Sequence, residues 1–292
     1  MAQSASATFD PSTYWTAPAR NFRTSARLHM QHSLCQKTIG YLLDPTLPRG
    51  SPLRVADLGC GNGAWLCDLH DEFAKAGVSA QLDGYDINPV NFPAPAFLPS
   101  TVHLKQLDLL KPCEELTGLY DIVHVRAFGS TLAKTGVAPL LSVVLALLKP
   151  GGYLQWEESK VDRFLIESPP SAGIPSVACN TISRMLKAGS DGQGHDNSFI
   201  DKLDQVVTEY GFEDVHFKVF EKRKQDYKGW TEDFLMVWEE LADMFPLKAQ
   251  APDSPVTRES FTELFQKAVA ETEQGVAIHL GTINTVVGRK AM

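Results

Sequence analysis

Short apolar runs alternate with longer segments of helical periodicity through the middle of the chain. Five runs rich in β-branched and large apolar residues lie between residues 53 and 157, and in two of the intervening segments apolar residues recur every three or four positions. This alternation is typical of βαβ units, which build a parallel sheet. The predicted strands of this part are Leu53–Leu58, Gln81–Asp86, Val102–Leu107, Tyr120–Val125 and Gly152–Glu157.

The segments between these strands differ in how well they can form helices. Ala64–Ala76 and Val137–Leu148 have helical apolar spacing, and the second is followed by Lys149-Pro150-Gly151-Gly152. Because Pro cannot continue a helix and Gly permits a sharp turn, this tetrapeptide predicts a helix end before the next strand. Asn88–Ser100 contains four prolines, so we expect a short or irregular crossover there.

Outside this region the pattern predicts further helices and two more strands. The helices are Ser25–Leu43, Val177–Ala188, Ser198–Tyr210, Thr231–Met244 and Arg258–Thr272, and the strands are Phe212–Phe220 and Ile278–Val287. We therefore predict an α/β fold with a seven-stranded, mostly parallel sheet and helices on both faces. A helical N-terminal preface or lid would occupy residues 1–50, and one domain would occupy residues 51–292, with helical cap insertions at about 159–210 and 227–274.

Composition and charge narrow the class of protein. Of the 292 residues 43% are hydrophobic, and no apolar stretch approaches the roughly 18 residues needed to cross a bilayer. The start of the chain has neither a basic nor an apolar signal region, so we expect a soluble, cytoplasmic protein without membrane contact. A net charge of −8 without a Lys/Arg run argues against binding to nucleic acid. The five cysteines form no CxxC pair, so we expect neither disulfides nor a metal site, while the oligomeric state stays open.

A glycine-rich turn follows the first strand of the predicted sheet. It contains Gly59, Gly61, Asn62 and Gly63, and Asp57 lies two residues before the first glycine. Glycine lets the backbone turn sharply and come close to a ligand, which a Cβ would obstruct. The carboxylate of Asp57 suits a ligand with a cationic amine better than one with a pyrophosphate, whose negative charge it would repel. S-adenosylmethionine has such an amine, so we predict that this turn binds it.

Further candidate residues lie at the ends of the next three strands. Asp86 ends the second strand and can accept hydrogen bonds from both ribose hydroxyls of the cofactor. Asp108 ends the third, where it can receive the adenine amino group, although either acid alone can also be an ordinary turn residue. Because the carboxyl ends of parallel strands meet at one edge of a sheet, these sites fall together. The predicted cofactor residues are Asp57, Gly59, Gly61, Asn62, Gly63, Asp86, Ile87, Asp108, Leu109, Val125 and Arg126.

The motifs at the four strand ends together resemble those of class I S-adenosylmethionine-dependent methyltransferases. The run Leu147–Tyr153 is similar to that family's entry to the fifth strand. More narrowly, Arg27–His32 and Ile283–Lys290 resemble fungal secondary-metabolism methyltransferases, a group that includes gliotoxin-type thiol methyltransferases and regulators associated with velvet proteins. The resemblance implies a Rossmann-like fold, S-adenosylmethionine as cofactor, and methyl transfer to an oxygen, nitrogen or sulfur atom of a small molecule, a secondary metabolite.

The expected chemistry needs few catalytic groups. A sulfonium methyl group is a strong electrophile, so the protein mainly has to align the acceptor atom and exclude water, which is worth up to roughly 7–11 kcal/mol. A base helps an oxygen acceptor and is optional for a thiolate or an amine. The predicted catalytic residues are His32, His124 and His195, with His29, Glu157 and Glu158 as further candidates, and the predicted substrate contacts are Gln31, Phe128, Trp156 and Met185. Each of these also has a plainer interpretation as a core, helix or loop residue.

Two other functions keep the same fold and cofactor. The bound sulfonium can act as an electrostatic element in a rearrangement or cyclisation without methyl transfer. Alternatively, the chain is a regulatory protein that binds the cofactor and partner proteins. Adenine methylation of nucleic acid is disfavoured, because Val125-Arg126-Ala127-Phe128 stands where enzymes of that type carry an Asp/Asn-Pro-Pro-Tyr/Phe motif.

Overall fold

A computed structural model describes residues 21–111, 113–169 and 173–292 of the chain. These residues form two compact units. The sheet unit consists of residues 21–111, 113–160, 196–221 and 282–292, and the helical unit consists of residues 161–169, 173–195 and 222–281.

The sheet unit is built on seven strands. The strands of the described chain are Leu53–Leu58 (β1), Ala80–Asp86 (β2), Val102–Gln106 (β3), Tyr120–Arg126 (β4), Leu148–Glu158 (β5), Leu165–Glu167 (β6), Phe212–Glu221 (β7), Ala277–His279 (β8) and Thr282–Lys290 (β9). The large sheet has the order β3-β2-β1-β4-β5-β9-β7, in which β1 to β5 are parallel and β9 is antiparallel to both of its neighbours. The predicted seven-stranded, mostly parallel sheet is therefore confirmed.

Eight α-helices accompany these strands in the described part of the chain. They are Phe22–Ile39 (α1), Ala64–Ala76 (α2), Gly129–Thr135 (α3), Ala138–Leu147 (α4), Val177–Gly192 (α5), Leu203–Glu209 (α6), Tyr227–Leu241 (α7) and Arg258–Glu273 (α8). No single helix among the described residues is long and apolar enough to cross a membrane, although α3 and α4 together pass that test despite a bend of 116° between them.

Helices α1 and α2 both end at a glycine in the left-handed conformation. Gly40 follows α1 with φ of 88°, so the helix stops before Leu43, the end predicted from the sequence. Gly77 ends α2 in the same way, at the predicted residue. The proline-rich crossover after β2 contains only two short 3₁₀ turns, Pro89–Asn91 and Pro95–Phe97, which confirms the irregular segment expected there.

Two further predictions, for the start of β5 and for the closing strand, were wrong. The tetrapeptide starting at Lys149 lies inside β5 and not in a turn before it. Leu148 already pairs with Tyr120, and a bulge with Gly151 at φ of 73° separates this pair from the regular pairing that begins at Tyr153. The single closing strand predicted at Ile278–Val287 is two strands, since Gly281 turns the chain at φ of 78°. The first of these strands, β8, pairs with β6, and the second, β9, lies between β5 and β7.

The sheet buries apolar side chains on both faces. Along β1, Ala56 and Leu58 belong to one core cluster, whereas Leu53 and Val55 belong to another on the opposite face. The first cluster includes residues of α3, α4 and α6, and the second includes residues of α2. Because side chains alternate along a strand, neighbouring positions of one strand serve different helix layers.

The helical unit holds α5, α7 and α8 with the two-stranded sheet of β6 and β8. Glu271 of α8 accepts hydrogen bonds of 2.8 and 2.9 Å from the first backbone N–H groups of α5, at Ala178 and Cys179. These donors have no partner within their own helix, so the carboxylate caps α5. Helix α6 belongs to the sheet unit, where it packs on β7 and β9.

Candidate functional site

The glycine-rich turn joins β1 to α2 through three residues in the left-handed conformation. Gly59, Gly61 and Gly63 have φ angles of 76°, 58° and 75°. A Cβ atom added at Gly59 would lie 2.7 Å from Cε2 of Phe128, and one added at Gly63 would lie 2.8 Å from Cδ1 of Leu104. The backbone angles and the close neighbours therefore both require glycine at this turn.

Asp86 lies buried at the end of β2, directly beside this turn. Its Oδ2 atom accepts a 2.9 Å hydrogen bond from the N–H of Gly61, and its Oδ1 atom accepts one of 2.9 Å from the N–H of Asn88. The two bonds fix the plane of the carboxylate, and a carboxylate oxygen can accept more than one hydrogen bond. The structure thus brings the acid after β2 and the turn after β1 into direct contact.

One face of the sheet carries a row of buried polar side chains across β1, β4 and β5. The strand register pairs Asp57 with His124, and Arg126 with Glu157. Nδ1 of His124 donates a 2.7 Å hydrogen bond to Oδ1 of Asp57, and the imidazole stacks on the Trp65 ring with centroids 3.9 Å apart. Since only 1% of His124 is exposed, its ring is enclosed by these neighbours.

The polar row continues from His124 to α1 and α2. Nε2 of His124 lies 3.6 Å from Oε1 of Glu157, and Oε2 of Glu157 accepts a 2.6 Å hydrogen bond from Nε of Arg126. Nη1 of Arg126 lies 3.0 Å from Nδ1 of His32, whose Nε2 lies 3.0 Å from Oδ2 of Asp68. Although acids and histidines meet here, no group of three or more potential ligands among the described residues is arranged to hold a metal ion.

Burial and neighbouring charges set the protonation of this row. Burial by itself would lower the pKa of His124, but the carboxylates of Asp57 and Glu157 outweigh it and raise that pKa. Burial would raise the pKa of Glu157, yet the charges of Arg126 and His124 bring it down to about 2. Burial and the positive charge of Arg126 lower the pKa of His32. This pattern favours the cationic form of His124, the ionised form of Glu157 and the neutral form of His32.

One face of α1 packs against the glycine-rich turn. Ser25, Leu28 and His32 are spaced by three and four residues, so they lie on one side of the helix. The carbonyl oxygen of Ser25 accepts a 3.1 Å hydrogen bond from Nδ2 of Asn62. Cδ1 of Leu28 lies 3.1 Å from the position that a Cβ atom would take at Gly61. The helix predicted as a preface is therefore part of the wall around the turn.

Phe128, directly after β4, is held in place by a buried carboxyl group. Oε1 of Glu158 accepts hydrogen bonds of 2.6 Å from the N–H of Phe128 and 2.8 Å from Nε1 of Trp156. Burial raises the pKa of Glu158 to about 7. The end of β5 thus carries a carboxyl group that gains or loses its proton near neutral pH and that positions the ring packed on Gly59.

The remaining predicted cofactor residues lie near the carboxyl ends of β2, β3 and β4. Ile87 is 38% exposed beside Asp86. Asp108, two residues after β3, forms a 2.8 Å ion pair with Lys111, and this contact lowers the pKa of the Asp108 carboxyl. Leu109 and Val125 are buried in the core, so their side chains contribute packing.

The predicted catalytic and substrate residues are divided between the two units. Those in the sheet unit are Gln31, His32, His124, Phe128 and Trp156, and those in the helical unit are Met185 and His195. Trp156 is fully buried in the core, with its ring centroid 5.9 Å from that of Phe199. Of the further base candidates, His29 is exposed on α1, whereas Glu157 and Glu158 are buried at the end of β5.

Gln155 was not predicted from the sequence as a member of the polar row, nor was Trp65 predicted as a neighbour of it. Gln155 donates hydrogen bonds of 2.6 Å to Oε1 of Glu157 and 2.9 Å to the carbonyl of Leu42, and Trp65 covers the imidazole of His124. Polar residues at every second position of the otherwise apolar strands β4 and β5 were a signal for such a row, because buried polar groups need partners. The stacking of Trp65 has no comparable signal.

Comparisons with known proteins agree with this fold. No protein-family model matches the chain. The chain is similar to the methyltransferase grgD of a Penicillium species, with 37% identity over 190 residues that cover 63% of each chain. It is also similar to the N-methyltransferase tcpN of Claviceps purpurea (strain 20.1), with 30% identity over 150 residues that cover 50% of this chain and 52% of the relative. The resemblance to fungal methyltransferases is thereby confirmed, over about half to two thirds of the length of these relatives.

A solved structure shows the same fold at low sequence identity. It is a chain from the complex between the Haloferax volcanii Trm112 methyltransferase activator and a protein described as a methyltransferase. The TM-score is 0.51 and the identity is 16%, with coverage of 94% of this chain and 100% of that chain. The Rossmann-like architecture expected from the strand-end motifs is therefore present.

Proposed function

We propose that this chain, which resembles fungal methyltransferases and has the Rossmann-like fold of class I methyltransferases, is an enzyme that binds S-adenosylmethionine and methylates a small molecule. One observation carries the proposal. The glycine-rich turn after β1 has three left-handed glycines, and two buried carboxylates, Asp57 and Asp86, flank it at the carboxyl edge of the parallel sheet. This edge is where open α/β sheets bind their ligands.

The residues of the turn fit the chemical groups of S-adenosylmethionine. Asp86 is oriented by Gly61 and Asn88, and its carboxylate oxygens are acceptors of the kind that the two ribose hydroxyls need. Asp57 offers a negative charge to the cationic amine, and the glycines let the backbone approach the ligand closely. Asp108 can accept from the adenine amino group, in competition with its ion pair to Lys111. When bound, the cofactor supplies an activated methyl group on a sulfonium.

The protein's part in methyl transfer is mainly alignment and exclusion of water. The wall formed by α1 packs on the turn, which supports a closed cofactor site. The lowered pKa of His32 favours the neutral form of its imidazole, which can accept a proton. Both ring nitrogens already have a neighbour, because Nδ1 contacts Arg126 and Nε2 contacts Asp68. His32, His124 and His195 stay predictions as catalytic residues, and Glu158, with its pKa of about 7, is a further candidate base.

The proposed acceptor is an oxygen, nitrogen or sulfur atom of the substrate. Oxygen, nitrogen and sulfur are all compatible with the site, and the similarity to an N-methyltransferase makes amines the first class to test. We also propose that the substrate is a secondary metabolite and that the protein acts in the cytoplasm; cell fractionation would test the second statement.

Binding of the cofactor product tests the site directly. Isothermal calorimetry with S-adenosylhomocysteine should give measurable affinity for the wild type and a loss of about 100-fold or more for Asp86→Ala, because the ribose hydroxyls lose their charged acceptor. Asp71→Ala, an exposed acid on α2, is the matched control and should bind like the wild type. Equal affinity in all three proteins would contradict the proposed site.

Methyl transfer is tested with labelled cofactor. The chain is incubated with methyl-labelled S-adenosylmethionine and panels of small amines, thiols and phenols, and labelled product is sought by mass spectrometry. Label in one class of acceptor supports the proposal. A substrate that is isomerised or cyclised without gaining label would instead identify a non-methylating enzyme. Binding of the cofactor and of a partner protein, without labelled product in any class of acceptor, would identify a regulator.

A further inference from the structure

We propose that His124 is a positioning residue, which holds the carboxylate of Asp57 in the orientation that receives the amino group of the cofactor. This inference rests on the proposed function, and it gives His124 a role other than that of a catalytic base. It also explains why an ionisable residue lies buried near the carboxyl end of β4.

The strand register brings the two side chains together. His124 lies directly opposite Asp57 on the parallel strands β4 and β1, and both side chains point to the face covered by α2. The 2.7 Å hydrogen bond from Nδ1 uses Oδ1 of Asp57. No hydrogen bond to Oδ2 of Asp57 is made by the described residues, so this oxygen is available to a donor on the ligand.

Contacts on the ring face and ring edge fix the imidazole. Trp65 stacks on it at an interplanar angle of 4°, which prevents the ring from tilting. Glu157 lies 3.6 Å from Nε2 on the far edge and is itself held by Arg126 and Gln155 at 2.6 Å each. A ring held in this way can direct its Nδ1 donor only toward Asp57. In metal sites, hydrogen-bond partners fix the orientation of a histidine ring in a similar way.

The charges of the row also favour this role. Asp57, His124, Glu157 and Arg126 alternate in sign, so the buried group is close to neutral when His124 is cationic. Without the imidazolium, the two buried carboxylates would share only Arg126. The Asp57 carboxylate would then lose the charged donor that fixes its orientation.

The test compares two ligands that differ in the amino group alone. S-adenosylhomocysteine carries the amine, and its deamino analogue keeps the nucleoside, the thioether and the carboxylate. Two variants separate the features of the side chain: His124→Phe keeps a ring against Trp65 without a donor, and His124→Asn keeps a donor near the Nδ1 position without the ring. Calorimetry gives the affinity of each protein for each ligand.

We expect His124→Phe to bind S-adenosylhomocysteine about 10- to 100-fold more weakly than the wild type, with the affinity for the deamino analogue changed by less than about threefold. His124→Asn should recover most of the preference for the amine. An equal loss for both ligands in His124→Phe would show a purely structural role, and an unchanged preference for the amine would show no role; either result overturns the inference while leaving the cofactor site intact.

A measurement on the wild type covers the case in which the variants do not fold. The Nδ1–H signal of His124 is followed by ¹H–¹⁵N NMR during titration with each ligand. S-adenosylhomocysteine should shift this signal and the deamino analogue should leave it near its free position. The same shift with both ligands overturns the inference, and a wild type that binds neither ligand overturns the proposed function together with it.

Discussion

At the scale of single residues, two consecutive glutamates at the end of β5 differ in the neighbours that determine their charge. Glu157 is ionised because Arg126 and His124 lie beside it, whereas the adjacent Glu158 lies on the other face of β5 among apolar residues. Two consecutive glutamates therefore have pKa values on opposite sides of the usual value, at about 2 and about 7. The alternation of strand side chains between the two faces is the physical cause of this difference.

Glu158 should make the stability of the protein depend on pH. Its folded-state pKa is about 7 and the ordinary value is 4.5, so the unfolded chain loses the proton first as pH rises. The free energy of unfolding should consequently fall between about pH 4.5 and pH 7, by about 3 kcal/mol at 1.36 kcal/mol per pKa unit. Urea denaturation of Glu158→Gln, which mimics the protonated group and keeps the acceptor for Phe128, should show this decline removed. Parallel pH profiles for the two proteins would contradict the assignment.

Gly59 should tolerate a side chain less well than another glycine with the same backbone conformation. Gly59→Ala and Gly77→Ala both place alanine at a positive φ, 76° and 68°, which costs about 1 kcal/mol each. Only the first also brings a Cβ to 2.7 Å from Phe128, whereas Gly77 has no atom within 4 Å. We expect Gly59→Ala to be less stable than Gly77→Ala by about 1–3 kcal/mol in chemical denaturation. Equal losses would mean that Phe128 moves aside freely.

At the scale of elements, α1 is joined to the site by polar contacts as well as by packing. Asn62 and Leu28 connect the helix to the glycine-rich turn, and His32 connects it to β4 and α2. The contact through His32 requires a neutral imidazole, because Nδ1 must accept from Arg126 while Nε2 donates to Asp68. The attachment of α1 is therefore sensitive to protonation of the His32 imidazole.

The attachment of α1 should weaken in mild acid. The pKa of His32 is lowered from 6.5 by burial and by Arg126, so the folded form favours the neutral ring and loses stability as pH falls below about 6.5. Hydrogen exchange, corrected for intrinsic rates, should show less protection of α1 at pH 5.5 than at pH 7.5 in the wild type, on the order of a few-fold. His32→Gln, which accepts and donates without titrating, should show a smaller difference. Equal pH dependence in both proteins would argue against His32 as the cause.

The limits of some elements were predictable from a local signal. Ala64–Ala76 matched the structure because Gly63 and Gly77 stand at its two ends. The closing strand was misjudged because the apolar pattern continues through Gly281, and pattern alone does not reveal that the chain changes from one sheet to another. Pairing partners far apart in sequence decide that question.

At the scale of the whole molecule, the cofactor should stabilise the folded chain by mass action. At about 100 times its dissociation constant, S-adenosylhomocysteine should add about 2.7 kcal/mol to the free energy of unfolding of the part that binds it. For a domain of this size, this corresponds to a rise in melting temperature of roughly 5–10 °C. Differential scanning calorimetry should detect the rise in the wild type and a much smaller one in Asp86→Ala at the same ligand concentration. A rise of the same size in both proteins would place binding elsewhere.

The sequence by itself determined the parallel sheet, the glycine-rich turn and the acids at the ends of β1 and β2. Each of these depends on a local pattern: apolar periodicity defines strands and helices, and glycine is needed where φ is positive. The alternation of strands and helices then predicted the βαβ connections between neighbouring parallel strands.

Only the tertiary structure decided what surrounds those motifs. It placed His124 between Asp57 and Glu157 under Trp65, linked Arg126 to His32, and gave Glu158 a raised pKa. The role of an ionisable side chain depends on its burial and on charges within a few ångströms, which come from strands and helices distant in sequence. Those distances are set by register and packing, so a linear pattern can name the residues of such a row but not the contacts that give them their function.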